Sequence, residues 1–123
     1  MKVKEIAFVC YAVKNLKVAR EFYEGTLGLK ATSTWVSNDT SGMIEYDIGS
    51  GTLAIGAGAP NFTPGKEGPC VALEVENFEE AVKELKTKKI EFVMEPMDTS
   101  VCQMALILDP DGNQLTIHRR KSK

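Results

Sequence analysis

The chain has 123 residues, 43% hydrophobic and 26% charged, enough to bury a core without disulfide or metal staples. A net charge of −2 and a pI near 5.5 give no electrostatic basis for binding nucleic acid or an anionic membrane surface, so neither is expected as a partner.

No apolar run approaches the roughly 18 residues that a membrane span needs. The first residues, Met1-Lys2-Val3-Lys4-Glu5, lack the apolar core of a signal peptide, and a cytoplasmic location is expected. Cys10, Cys70 and Cys102 are odd in number and have no CxxC spacing, so reduced thiols are expected rather than a disulfide framework or a zinc knuckle. The one basic cluster, His118-Arg119-Arg120-Lys121-Ser122-Lys123, reads as a frayed, solubilising end.

Ile6 to Val13 reads as a strand, with Ala7, Val9, Tyr11 and Val13 on one face and Ile6, Phe8, Cys10 and Ala12 on the other. Both faces are apolar and both are expected to be covered. Asn15 then caps a helix whose apolar residues Leu16, Ala19, Phe22, Tyr23 and Leu27 recur at helical spacing until Gly25 and Gly28 stop the pattern. Three short strands are predicted, at 31–36, 43–48 and 52–56, separated by the polar loop 37–42 and the turn Gly49-Ser50-Gly51. The segment from Ala57 to Pro69 is rich in Gly and Pro and suits a connection between halves. The order then repeats: a strand at 70–75, a helix capped by Asn77 with the stripe Phe78, Ala81, Val82 and Leu85, and strands at 90–94 and 101–108. The turn Asp109-Pro110-Asp111-Gly112-Asn113 leads into a last strand at 114–118.

This is an internal duplication. In both copies an alternating segment ends on Val13 or Val75, a charged residue follows, then Asn15 or Asn77, a large apolar residue, and Ala19 or Ala81 three positions further on. The comparison makes Phe8 and Cys70 equivalents. The predicted fold is α+β: two βαβββ modules, about 1–57 and 70–119, in a pseudo-symmetric repeat forming one domain, with cupped mixed sheets around a cleft.

The stretch Phe22-Tyr23-Glu24-Gly25-Thr26-Leu27-Gly28-Leu29 and the turn 109–113 running into Gln114-Leu115 resemble the vicinal oxygen chelate superfamily, the glyoxalase/bleomycin resistance protein/dioxygenase group. The paired modules fit it over nearly the whole chain. The resemblance is weak for activity, because that fold carries lyases, isomerases, dioxygenases and drug-binding proteins. It implies a homodimer, and it implies where a divalent metal would be held: on the first and last strand of each module, by His or Glu. Those positions here are Phe8, Ala54, Cys70 and Thr116. Phe and Ala cannot ligate a metal and Thr is a poor ligand, so no metal or other cofactor is expected.

Alternation also puts Cys10, Glu74 and His118 on the same strand faces as Phe8, Cys70 and Thr116. Cys70, Glu74 and His118 could form a displaced metal site, but small buried thiols, a paired carboxylate and a solvated histidine account for them more simply. If Ile44, Tyr46 and Ile48 face the helix, Glu45 and Asp47 fall on the cleft side with Met43; the other reading is that the two acids solubilise an edge strand. The cleft would then carry Phe8, Cys10, Trp35, Glu45, Asp47, Cys70, Glu74 and Thr116, an apolar surface with a few carboxylates. Met94, Met97 and Met104 are expected to fill the core. The expected function is binding of a small organic molecule without a metal, leaning away from an enzyme. The alternative is a lyase, isomerase or dioxygenase-like enzyme with a non-standard metal or acid–base site at Glu45, Glu74 and His118.

Overall fold

The computed structural model describes residues 1–60 and 62–121 of the chain. Two four-stranded mixed sheets form two similar halves. In the first, β1 (Val9–Ala12) lies parallel to β4 (Gly51–Ala57), and β3 (Ser41–Ile48) and β2 (Ala31–Asn38) continue antiparallel. In the second, β5 (Val71–Glu74) lies parallel to β8 (Gln114–Arg120), followed by β7 (Cys102–Leu108) and β6 (Phe92–Asp98). The α+β fold of two βαβββ modules expected from the sequence is the fold observed.

Register shows how closely one half copies the other. Cys10 faces Ala54, which faces Glu45, across β1, β4 and β3; Ala72 faces Thr116, which faces Leu106, across β5, β8 and β7. Ala54 and Thr116 are therefore equivalents, and the strand register supplies the match that the sequence repeat left open near Ala54. Even the irregularities match: the register of β2 slips between Ala31 and Ser33, and that of β6 between Phe92 and Met94. Such a bulge turns the residues beyond it onto the other face.

Each module's helix starts on an asparagine. The Asn15 carboxamide oxygen accepts the Val18 N–H at 3.0 Å, and that of Asn77 accepts the Glu80 N–H at 3.1 Å. Both asparagines are extended, as an N-cap requires. They open α1 (Leu16–Arg20) and α2 (Phe78–Thr87). Where one continuous helix was expected, α1 passes into a wider π-helical stretch, Glu21–Thr26, which ends with the Leu27 N–H bonded to Phe22 O at 2.9 Å. The Arg20–Glu24 ion pair, at 2.7 Å, spans the change in winding.

The helices and the sheet faces behind them share one apolar cluster, with Tyr11, Phe22, Tyr23, Ile44, Tyr46 and Ile55 from the first module and Phe78, Leu85, Ile107, Leu115 and Ile117 from the second. Polar groups inside it tie the halves together. Tyr11 Oη donates to Gln114 O at 2.6 Å and accepts the Val71 N–H at 2.7 Å. Asn113 Nδ2 donates to Ala12 O at 2.8 Å, and the buried Asp109 carboxylate accepts from Tyr23 Oη at 2.9 Å and from the backbone of Asp111 and Asn113 at 2.8 Å. The turn at 109–113, read as a reversal, is thus also the clasp between modules.

Several sequence expectations are corrected. The first strand is short: residues before Val9 leave the ladder, and Ile6 and Phe8, expected to be covered, are 79% and 45% exposed because no layer lies over them. The loop at 37–42 collapses to a tight turn, since Asn38 Oδ1 takes both the N–H and the hydroxyl of Thr40 and lets β2 and β3 run to its edge. At the other end, β8 continues through His118, Arg119 and Arg120 instead of fraying, held by β7 from Cys102 to Leu108; Ser122 and Lys123 lie outside the described residues. The methionines do not fill the core. The β6 bulge places Met94 opposite Leu106 and Met97 opposite Met104, on the face turned away from the apolar cluster, and Met97 is exposed.

Candidate functional site

The faces of the two sheets turned away from the helices carry the side chains singled out in the sequence. On the first sheet Tyr11, Leu53, Ile55, Ile44 and Tyr46 point into the core, so strand alternation puts Cys10, Ala54, Glu45 and Met43 on the opposite face. This is the register in which Glu45 and Asp47 leave the helix side. Cys10 lies close enough to Glu45 for the carboxylate to act on its thiol: burial first, and then the Glu45 charge, push the Cys10 thiol up to about 11. Cys10 is therefore a neutral, unreactive thiol at physiological pH.

The two acids of β3 differ. Asp47 is exposed at the strand end and accepts the Thr52 hydroxyl at 2.9 Å, a local contact beside the β3–β4 turn. Glu45 is half-buried, with no side-chain hydrogen-bond partner among the described residues. Trp35 lies across from Met43 but is 59% exposed, on a strand with a free outer edge. One aromatic that sequence reasoning passed over belongs here. Phe62 comes from the Gly- and Pro-rich connection and approaches Gly56, where an added Cβ would meet Cys10 Sγ at 3.3 Å and the Phe62 ring at 3.9 Å. Gly56 thus keeps a small hollow between the thiol and the ring, which a side chain would fill.

On the second sheet, Cys70 Sγ and Thr116 Oγ1 are 3.4 Å apart; Cys70 is exposed and Thr116 buried. Further along, Glu74 and His118 are register partners in contact: Glu74 Oε1 lies 2.5 Å from His118 Nδ1, and Glu74 Oε2 accepts the Arg120 N–H at 2.6 Å. The Arg120 N–H first, and His118 second, hold the Glu74 carboxyl below the usual carboxylate range. The solvated histidine expected near the terminus is instead paired, its side chain 22% exposed. Met104 and Leu106 line the same face.

The structure does not bring all these residues together. Glu45 stands on the first sheet and the Glu74–His118 pair on the second, so the three candidate acid–base residues are not one cluster. Cys70 immediately precedes β5 and Glu74 ends it, a separation of about 13 Å along extended chain, which excludes a common metal shell. Among the described residues no group of three or more His, Cys, Asp or Glu is placed to hold a metal ion. The four positions that the resemblance implies for a metal, Phe8, Ala54, Cys70 and Thr116, offer two side chains without a donor atom and a thiol facing a hydroxyl, a set that does not fit a divalent ion.

A cavity of about 570 Å³ lies at the junction of the halves, lined by Ile6, Val9, Ile48, Leu53, Val71 and Leu73 among others. None of the predicted site residues lines it. It is bounded by β1 and β5, each of which pairs on one side only within the chain.

No helix among the described residues is long and apolar enough to cross a membrane. Among curated proteins nothing matches the sequence significantly. Solved structures match over nearly full length. An antibiotic binding protein, TnmS3, from Streptomyces sp. CB03234 superposes with a TM-score of 0.81 at 17% identity, covering 98% of this chain and 99% of its own. A glyoxalase/bleomycin resistance protein from the same organism gives 0.76 at 18% identity, covering 94% and 100%. A member of the glyoxalase/bleomycin resistance protein/dioxygenase superfamily from Sphaerobacter thermophilus gives 0.75 at 19%, covering 96% and 98%. At these identities the likeness establishes the fold. The sequence model described as Glyoxalase/Bleomycin resistance protein/Dioxygenase superfamily matches residues 5–117, and the chain belongs to that family.

Proposed function

We propose that the protein binds a small organic molecule without a metal, holding it against the outer faces of its sheets. The observation that carries this reading is the first sheet's face: a half-buried carboxylate, Glu45, with no side-chain hydrogen-bond partner among the described residues, beside Cys10, Met43 and Ala54 on the face that the Phe62 ring approaches at Gly56. Such a surface recognises a flat apolar body bearing a cationic or hydrogen-bond-donating group, which the carboxylate satisfies. The donor set at Phe8, Ala54, Cys70 and Thr116 supports the metal-free part, and the antibiotic-binding relative is a precedent for the class of ligand.

The faces are open in the single chain. A second copy would wall them in, and the free edges of β1 and β5, with the exposed Val3, Ile6 and Phe8 beside them, support a homodimer. Three unpaired thiols suit a reducing compartment, and the reading places the protein in the cytoplasm.

The test is a fluorescence titration of chelator-treated protein with acridine orange, a flat organic cation. Saturable binding is expected, weakened about five- to tenfold in Glu45→Gln, which keeps the shape and removes the charge. Absence of saturable binding, or binding restored only by a divalent ion, would overturn the proposal. Chemical conversion of the bound molecule would favour the enzymatic alternative.

A further inference from the structure

The pseudo-symmetry of the halves isolates one feature that the backbone does not require. Register pairs Glu74 with His118 in the second module, and the equivalent pair in the first module is Ala12 with Gly56. The same parallel ladder forms in both. A histidine–carboxylate contact is therefore dispensable to the strand pairing, yet it stands on the outer face of β8, opposite in direction to the buried Ile117, and beside Met104 on β7.

The protonation pattern follows from the contacts. Both Glu74 oxygens accept: one takes the Arg120 N–H and the other faces His118 Nδ1. A carboxylate holding two such bonds is ionised and only accepts, so the hydrogen between Glu74 and His118 resides on Nδ1. In its neutral form, the imidazole that holds its proton at Nδ1 presents a bare lone pair at Nε2. That nitrogen has no hydrogen-bond partner among the described residues, and the ring remains partly exposed.

We propose that Glu74 and His118 form a hydrogen-bond-accepting subsite, in which Glu74 fixes the ring as its Nδ1–H tautomer and Nε2 takes the hydroxyl of a flat aromatic ligand lying against Met104 and Leu106. The methionine and leucine supply an apolar, adaptable surface for the ring system, and the imidazole supplies the directional contact that an apolar face lacks. His118 is a ligand-contacting residue and Glu74 a positioning residue. The inference rests on the binding function proposed above and adds its second recognition element: the first sheet offers a carboxylate to a cation or donor, the second an imidazole nitrogen to a hydroxyl.

His118 is the chain's one histidine, so its ring nitrogens can be observed without ambiguity. Long-range proton–nitrogen correlation spectra of labelled, ligand-free protein at about pH 8 are expected to show a protonated Nδ1 and a bare Nε2. Mixed tautomers or a protonated Nε2 would overturn the proposal whatever binds. The second arm compares 2-naphthol with its methyl ether, equal in ring system but without the donor. The naphthol is expected to bind about five- to tenfold more tightly and to move the Nε2 resonance. His118→Phe should bring the two affinities together, and Glu74→Ala should mix the tautomers and shrink the difference, with far-ultraviolet ellipticity confirming that each variant folds. Equal affinities, or a preference that survives His118→Phe, would refute the subsite while leaving the acridine orange result standing. If acridine orange and both naphthalenes fail to bind, the binding function falls with it.

Discussion

Replacing Tyr11 by Phe removes a single oxygen from the centre of the molecule, and its consequence can be worked out from the bonds it makes. The side chain is fully buried, and its hydroxyl joins β5 and β8 to β1 by accepting the Val71 N–H at 2.7 Å and donating to Gln114 O at 2.6 Å. Phe keeps the ring and its approach to Tyr23 at 6.2 Å. What changes is that a backbone donor and a backbone acceptor lose their partner at once. An orphaned polar group costs about 1–3 kcal/mol; since both groups sit near the end of a ladder where water can reach part-way, the lower half of that range applies, about 2–4 kcal/mol together. Against a total of about 5–15 kcal/mol this is a large fraction. Urea unfolding followed by ellipticity is expected to shift its midpoint down by about 1–2 M with the slope unchanged. Tyr46→Phe is the control: it loses one bond, from Tyr46 Oη to Glu24 Oε2 at 2.9 Å, and Glu24 keeps Arg20. A loss below about 0.5 kcal/mol for Tyr11→Phe, or one no greater than for Tyr46→Phe, would refute the claim that the hydroxyl clasps the modules.

Alkali should unfold the protein cooperatively. Burial, foremost, pushes the Tyr11 phenol up to about 12 and those of Tyr23 and Tyr46 upward too, so the stability they contribute is full below about 10, their unfolded value, and is lost as pH rises toward the folded values; tyrosinate absorbance and ellipticity should change together. Gly42→Ala should cost about 2 kcal/mol or more in the same urea assay, because at φ 150 its Cβ would lie 2.5 Å from Trp35 O and 2.7 Å from Val36 Cα, both backbone atoms. With a thiol reagent near neutral pH, one cysteine should react first and peptide mapping should find it at Cys70, the exposed one, while the raised Cys10 and the buried Cys102 lag; early labelling of Cys10 would contradict its environment.

Features that depend on neighbours in sequence were readable from it. Asn15 and Asn77 cap because their side chains reach N–H groups three residues on, and the Asp109–Asn113 turn closes on its own backbone. Features that depend on a partner strand were not. The bulge at Ala31–Ser33 has no period to betray it, yet it decides that Ser33 and Trp35 share a face with Glu45 and Met43; its equivalent before Met94 moved the methionines out of the core. The basic end of the chain looked like a tail because composition does not report that β7 offers Cys102 and Gln103 as partners to Arg120 and Arg119. Phe62 was passed over because a loop of Gly and Pro gives no sign of which aromatic will fold back onto a sheet.

The duplication also separates the side chains that the ladder requires from those that it does not. Where the halves agree, as in the Asn caps, the bulges and the small or apolar residues along β1 and β5, the shared physics of the ladder is sufficient reason for the residue. Where they disagree at equivalent places on the outer face, that reason fails for one of the two. Glu45 and Leu106 face Ala54 and Thr116 in matching registers, and Ala12–Gly56 and Glu74–His118 close matching ladders. Each sheet thus holds a polar group at a position its counterpart fills with an apolar or minimal residue, and the two groups differ in kind: a carboxylate on one face, a histidine paired with a carboxylate on the other. A symmetric scaffold with asymmetric faces suits a ligand whose two ends differ.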